Sequence, residues 1–173
     1  MGKRSNFEHK TLQTYDTPAS AIKPLLKHLQ PQTIYCEPCA GAGNIVNYLT
    51  LFGHQCWAAY DVKPRASNVG KLDASFITAP DLKGAHSIIT NPPWDRPVLH
   101  QIIERCSTLA PTWLLFDADW MHTKQAKPYL EICSRVVSIG RVKWIDGSAS
   151  VGKENCCWYL FQNKPVTTLF FGQ

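Results

Sequence analysis

No stretch of this sequence stays apolar for the roughly 18–20 residues that a bilayer crossing needs. Repeats, low-complexity tracts and Gly/Ser-rich linkers are missing too, so nothing in the chain marks a boundary between domains. Only 18% of the residues are charged against 45% apolar, which excludes a disordered or coiled-coil protein. The opening run Met1-Gly2-Lys3-Arg4-Ser5-Asn6 is polar and leads into no hydrophobic signal segment. Asn6 also stands where a myristoylation signal needs Ser or Thr. The expectation is one soluble cytoplasmic domain over residues 1–173, with 1–11 as a flexible arm and no membrane partner.

The six histidines form no pair at metal spacing, and the seven cysteines supply only one suggestive run. Cys36-Glu37-Pro38-Cys39 has the spacing of half a zinc site or of a redox motif, but no second pair completes it. The odd count and the missing signal segment argue for reduced thiols. Cys36, Cys56, Cys106, Cys133, Cys156 and Cys157 lie in or beside apolar runs, where cysteine is an ordinary small buried residue. No metal is expected.

What is present is an alternation of short apolar runs with helical patterns. Thr17-Pro18 caps a helix over 18–29, with Ile22, Leu25, Leu26 and Leu29 on one face. A strand over Thr33–Glu37 is followed by a helix over Asn44–Phe52 that Gly53 stops. Further strands are expected at 56–60, Ser87–Thr90 and Trp113–Phe116, and further helices at 97–109 and 123–133. The end of the chain changes character: Val136–Ile139, Val142–Ile145 and Cys156–Phe161 are β-rich with no useful helix between them. This order predicts an α/β fold of three layers, a mainly parallel sheet ending in an antiparallel hairpin. Ligands in such sheets bind beyond the C-terminal ends of the strands, and the unusual residues of this chain stand just there.

After the first strand comes Glu37-Pro38-Cys39-Ala40-Gly41-Ala42-Gly43, whose small residues let a ligand approach the backbone before a helix begins. Val46 stands where a dinucleotide fingerprint needs a third small residue, which disfavours a nicotinamide cofactor. Asp61 follows the second strand, 18 residues beyond Gly43, where an acid accepts from ribose hydroxyls. Asp73 follows a weak strand and is placed to accept from an adenine amine. Asn91-Pro92-Pro93-Trp94 directly follows Ser87–Thr90. Two prolines stiffen it and remove two backbone donors, so it makes a rigid clamp. The Asn91 side-chain oxygen and the Pro92 carbonyl are two acceptors for an exocyclic ring amine. Holding both amine hydrogens localises its lone pair as positive charge develops, which stabilises a transition state without a basic side chain. Trp94 would stack on the same ring, worth roughly 1–3 kcal/mol.

With these motifs in this order, the sequence resembles the Rossmann-type S-adenosylmethionine-dependent methyltransferases that modify amino groups. Within them it is most similar to the small adenine-N6 methyltransferases of bacteriophages and prophages, over roughly residues 12–163. The resemblance implies S-adenosylmethionine as cofactor, held by Tyr15, Thr17, Pro18, Glu37, Pro38, Ala40, Gly41, Gly43, Asp61, Val62, Asp73, Ala74 and Asn91. It implies Asn91, Pro92, Pro93 and Trp94 as the catalytic tetrapeptide. It also matches Gly140–Trp144 and Trp158–Phe161 to strands flanking a target loop, with Arg141 and Lys143 on substrate. The implied substrate is DNA in a bacterial or phage-infected cell. RNA, single-stranded nucleic acid and a protein glutamine amide are the alternatives for the same chemistry, and a catalytically silent binding subunit is a further one. Only 17 residues separate Asp73 from Asn91, and nothing substantial follows Phe161, so no separate target-recognition domain is expected. That leaves room for a specificity partner or a homodimer.

Gly147-Ser148-Ala149-Ser150-Val151-Gly152-Lys153 imitates a phosphate-binding loop, but Glu154 stands where magnesium binding needs Ser or Thr, and a strand follows in place of a helix. Residues 146–155 are better explained as a polar substrate loop in which Lys153 and Asn155 meet phosphate or a base edge. The net charge of +5 suits a polyanionic partner, with Lys63, Arg65 and Lys71 after the second strand among the candidate phosphate contacts.

Overall fold

The computed structural model describes residues 16–145 and 151–172; the expected arm, Tyr15 and residues 146–150 of the substrate loop lie outside them. Helix α1 (Ala19–Ile22) passes into a 3-10 segment at Lys23–His28. A single helix over 18–29 does not form, because Pro24 has no N–H to continue the α ladder. Strands β1 (Ile34–Glu37), β2 (Gln55–Asp61) and β3 (Gly70–Lys71) follow, with α2 (Asn44–Thr50) between the first two. Then come β4 (Ser87–Thr90), α3 (Arg96–Ser107) and β5 (Thr112–Asp117). A 3-10 turn at Lys124–Ala126 and α4 (Lys127–Leu130) replace the longer helix expected at 123–133, since the next strand already begins at Cys133. Strands β6 (Cys133–Arg141), β7 (Asn155–Phe161) and β8 (Leu169–Phe171) complete the chain.

The eight strands form one sheet in the order β3-β2-β1-β4-β5-β7-β6-β8. β7 runs antiparallel to both of its neighbours, and every other pairing is parallel. The expected α/β architecture with an antiparallel hairpin near its end is therefore present. Val142–Ile145 departs from expectation. Arg141 still pairs with Asn155, but the chain then leaves the sheet, and the Gly152 amide donates to the Val142 carbonyl at 2.8 Å. β8 was not expected at all.

Alternation along the strands builds two cores. On one face Ile88, Leu114, Phe116, Cys157, Tyr159 and Phe161 pack under α3 and the 3-10 turn at Ala118–His122. Phe116 stacks on Tyr159 with centroids 4.2 Å apart, and Trp120 meets Phe116 edge-on at 5.0 Å. On the other face Tyr35, Ile89, Trp113, Leu115, Trp158 and Leu160 pack under α1 and α2. There the buried Trp158 indole N–H donates to the Ala21 carbonyl at 2.7 Å, pinning α1 to β7. Trp158→Phe is expected to cost about 1–3 kcal/mol in urea unfolding, because a buried acceptor loses its donor. Trp57→Phe, at a residue 46% exposed, should stay within about 0.5 kcal/mol. Equal effects at the two positions would refute this account of how α1 is held.

Candidate active site

The strand order reverses between β1 and β4: the chain leaves β1 toward β2 and β3, and leaves β4 toward β5. The loops after these two adjacent strands therefore emerge together, leaving a crevice between them. One hydrogen bond ties them, from the Cys39 amide to the Thr90 hydroxyl at 3.2 Å.

The loop after β1 is held from both ends. Glu37 and Pro38 are buried at the end of the strand, and the buried Ala40 donates its amide to the Tyr60 carbonyl at 2.7 Å. Gly41 and Gly43 have φ of +53° and +82°, the left-handed region that side chains rarely enter, and Gly43 caps α2. Asp61, ending β2, takes the Gly41 amide on one carboxylate oxygen and the Lys63 amide on the other, both at 2.8 Å. Each oxygen keeps a lone pair for a further donor. Val62 beside it is exposed. Asp73 lies beyond β3, exposed, and caps a 3-10 turn by accepting from the Ser75 amide at 2.9 Å, with Ala74 buried behind it.

The loop after β4 is anchored downstream. Asp95 caps α3, and Arg96 pairs with the buried Asp117 at the end of β5 at 2.8 Å. Within it, Asn91 reaches the N-terminal segment: its Nδ2 donates to the buried Thr17 hydroxyl at 3.1 Å, just before Pro18 and α1. The Trp94 indole N–H is shared between Asn91 Oδ1 and the Leu115 carbonyl, both at 3.2 Å. An indole N–H only donates, so the atom it meets must be the amide oxygen, and this fixes which way the carboxamide points. Pro92 is buried and Pro93 exposed. Trp144 meets Trp94 edge-on, with centroids 5.5 Å apart.

Thus Thr17, Asn91 and Trp94 form one hydrogen-bonded chain, and Gly41 and Asp61 form another beside it. Arg141, Lys143, Lys153 and Asn155 are all exposed at the Arg141–Asn155 end of the β6–β7 pair, joined to the first group through Trp144. Asn155 also lines an open cleft of about 490 Å³ with Met121, His122 and Phe170. Two residues were given no site role from sequence: Thr90, which ties the two loops, and Trp144, inside a run noted only for its likeness; Asp16 belongs to the Tyr15–Pro18 run that resembles the family's N-terminal cofactor motif. Among the described residues all seven cysteines are free, and no group of three or more His, Cys, Asp or Glu is placed to hold a metal ion.

No protein-family description and no curated protein matches the sequence. Solved structures do. The chain is similar to a protein of Pyrococcus horikoshii provisionally described as an RNA methyltransferase, at a TM-score of 0.62 and 16% identity, covering 95% of each chain. The chain has a methyltransferase fold. The methyltransferase subunit of a type I restriction-modification system from Streptococcus thermophilus matches at a TM-score of 0.58 and 9% identity, over 91% of this chain and 46% of that one. A dimethyladenosine transferase from Plasmodium falciparum matches at 0.56 and 14%, over 86% and 62%. The chain thus spans nearly the whole Pyrococcus protein but about half of the restriction-system subunit.

Within this methyltransferase fold, Glu37 carries a cost. Burial pushes its carboxyl well above the usual carboxylate range, opposed by the Val46 amide and reinforced by the Asp61 charge. A raised folded value means the folded state holds the proton more tightly than the unfolded chain. Its contribution to stability is present at low pH and is lost as pH rises from the unfolded value of 4.5 through the folded one. In paired thermal melts, Glu37→Gln should gain on the wild type as pH rises and converge with it toward pH 4.5. A difference independent of pH would overturn this.

Proposed function

We propose that this protein transfers a methyl group from S-adenosylmethionine to the N6 amine of adenine in nucleic acid, with DNA the leading substrate. The observation that carries the reading is the Asn91 carboxamide, oriented by Thr17 and Trp94 at the strand-order reversal, beside the glycine loop. The residues present fit the donor. Gly43 leaves open space where a Cβ would stand, Asp61 has acceptor capacity for ribose hydroxyls, and Glu37 Oε2 is buried with no partner among the described residues. Thr17, Pro18, Pro38, Ala40 and Gly43, with Tyr15 before them in sequence, would hold the donor, and Val62, Asp73 and Ala74 would meet its adenine end. When bound, the donor supplies a methyl group activated on a sulfonium.

The work of the chain is orientation and charge stabilisation. Asn91 Oδ1, with one lone pair on the Trp94 N–H, offers the other to the target amine, and the Pro92 carbonyl takes its second hydrogen. Positive charge developing on the nitrogen is met by two fixed dipoles, and Pro93 keeps that backbone rigid. A duplex base must leave its stack to reach this point, at a cost of a few kcal/mol that Trp94 offsets. Arg141, Lys143, Lys153 and Asn155 then receive the backbone around it.

RNA is the second reading, favoured by the match over 95% of both chains to the Pyrococcus protein described as an RNA methyltransferase. Labelled S-adenosylmethionine offered with duplex DNA, single-stranded DNA and RNA in parallel tests both, with nucleoside mass spectrometry of the product. The expected product is N6-methyladenine, with Asn91→Ala lowering the rate about 100-fold or more. Methyl transfer to none of the three would sink the reading. Removing both Arg141 and Lys143 should weaken substrate binding while lowering the log–log salt slope by about 1–2, one phosphate contact each. An unchanged slope would remove those residues from the interface.

A further inference from the structure

The open cleft beside Asn155 has a volume of about 490 Å³, and most of its walls have no part in the reading above. The 3-10 turn at Ala118–His122 supplies Met121 and His122, β6 supplies Ser138 and Gly140, β7 supplies Asn155 and β8 supplies Phe170. β5 and β6 run the same way, both antiparallel to β7, so the cleft lies at the sheet edge from which the Asn91 loop also leaves. A bulge in β6 shapes it. The β6–β7 register shifts between Ser138 and Gly140, and Gly140 sits at φ +67°, a conformation that side chains rarely adopt. At that point of the wall there is backbone alone.

We propose that this cleft receives the base of the nucleotide next to the target, drawn out of its stack and laid on Phe170. This rests on the methyl-transfer reading above and adds to it the state of the substrate, a strand unpaired at the target. Phe170 is 62% exposed, so its ring is open to a flat partner. No lining residue carries a permanent charge, which suits a neutral ring and not a phosphate. The Asn155 carboxamide and the Ser138 hydroxyl offer donors and acceptors to a base edge. Arg141 follows Gly140 directly and Lys153 stands two residues before Asn155, both exposed, so cations for the strand's phosphates flank the cleft. Distance sets the strand's conformation. β4 and β7 are two places apart in the sheet, about 10 Å at the usual strand spacing. Stacked bases are only about 3.4 Å apart, so a base can reach the cleft from a neighbour held at Asn91 only when the two are splayed, as in a single strand.

Methylation of single-stranded oligonucleotides holding one adenine tests this, with the base before or after that adenine removed to leave an abasic sugar. For the wild type, kcat/KM should fall about 5- to 100-fold at one of the two abasic positions, the worth of one base stacked on an aromatic ring. Phe170→Ala should lose as much on the intact strand and nothing further on that abasic strand. Leu169→Ala, on the opposite face of β8 and 53% exposed, should behave as the wild type, which separates loss of the ring from loosening of the strand. A Phe170→Ala loss that is equal on intact and abasic strands, or no loss on either, overturns the assignment while the methyl-transfer reading stands. So does a wild type that prefers the same sequence as a duplex. A wild type inactive on DNA and RNA strands alike overturns the methyl-transfer reading and this assignment together.

Discussion

Every interaction at the candidate site depends on β1 and β4 lying side by side, parallel, with the chain departing from them in opposite directions. Neighbouring parallel strands deliver their following loops to the same edge, and the reversal keeps any crossover helix from covering the space between them. All four residues of β4 are buried, so the Asn-Pro-Pro-Trp loop leaves a platform that cannot slide. The Cys39–Thr90 hydrogen bond then sets the spacing of the two loops. Arg96 and Asp117 close the far end, coupling the loop to β5 as well as to β4.

What the sequence made legible follows from the strength of its local signals. Ser87–Thr90 was placed to the residue, because a short apolar run stopped by Asn-Pro-Pro has few other conformations. The alternation of strands and helices was enough to predict the sheet, and its C-terminal hairpin came from the loss of helical spacing after residue 133. The errors have local causes too. Ile22, Leu25, Leu26 and Leu29 keep helical spacing through Pro24, so periodicity hid a break in the hydrogen-bond ladder. Val142–Ile145 alternates like a strand, but the ladder with β7 ends at Arg141 and Asn155, and beyond it the segment keeps only the Gly152 amide on the Val142 carbonyl among the described residues. β8 is three residues long with Leu169 and Phe170 exposed, too short for a period and wrong for a core pattern.

The site was legible by residue type and much less by contact. Asp61 and Asn91 announce themselves by standing just after strands. Arg65 does not: one basic residue among Lys63 and Lys71 has no visible reason to differ from them. Its ion pair with Asp16 comes from the fold, which brings the loop after β2 over Gly41 and the N-terminal segment alongside. Trp144 is a similar case, since only the sheet order places the end of β6 near the loop after β4. Chemistry-bearing loops at strand ends can be read from sequence, whereas pairings between loops require the topology.

Trp94 shows how the two levels combine. Sequence reasoning gave it a stacking role, because an aromatic beside an amine clamp suggests a ring on a ring. In the structure its indole N–H is committed to Asn91 and Leu115, and its ring meets Trp144 edge-on. These two constraints fix the plane of the indole, so the direction a stacked base can approach is set before any ligand arrives. The same N–H consumes one lone pair of Asn91 Oδ1, leaving a single acceptor position there. A planar ring amine brings two hydrogens, so the second must go to a different atom, and Pro92 is the adjacent residue with a carbonyl to offer. On the proposed reading, the motif would favour a group with two hydrogens in one plane. A lone hydroxyl would leave one of the two acceptors without a donor, at a cost an amine does not incur.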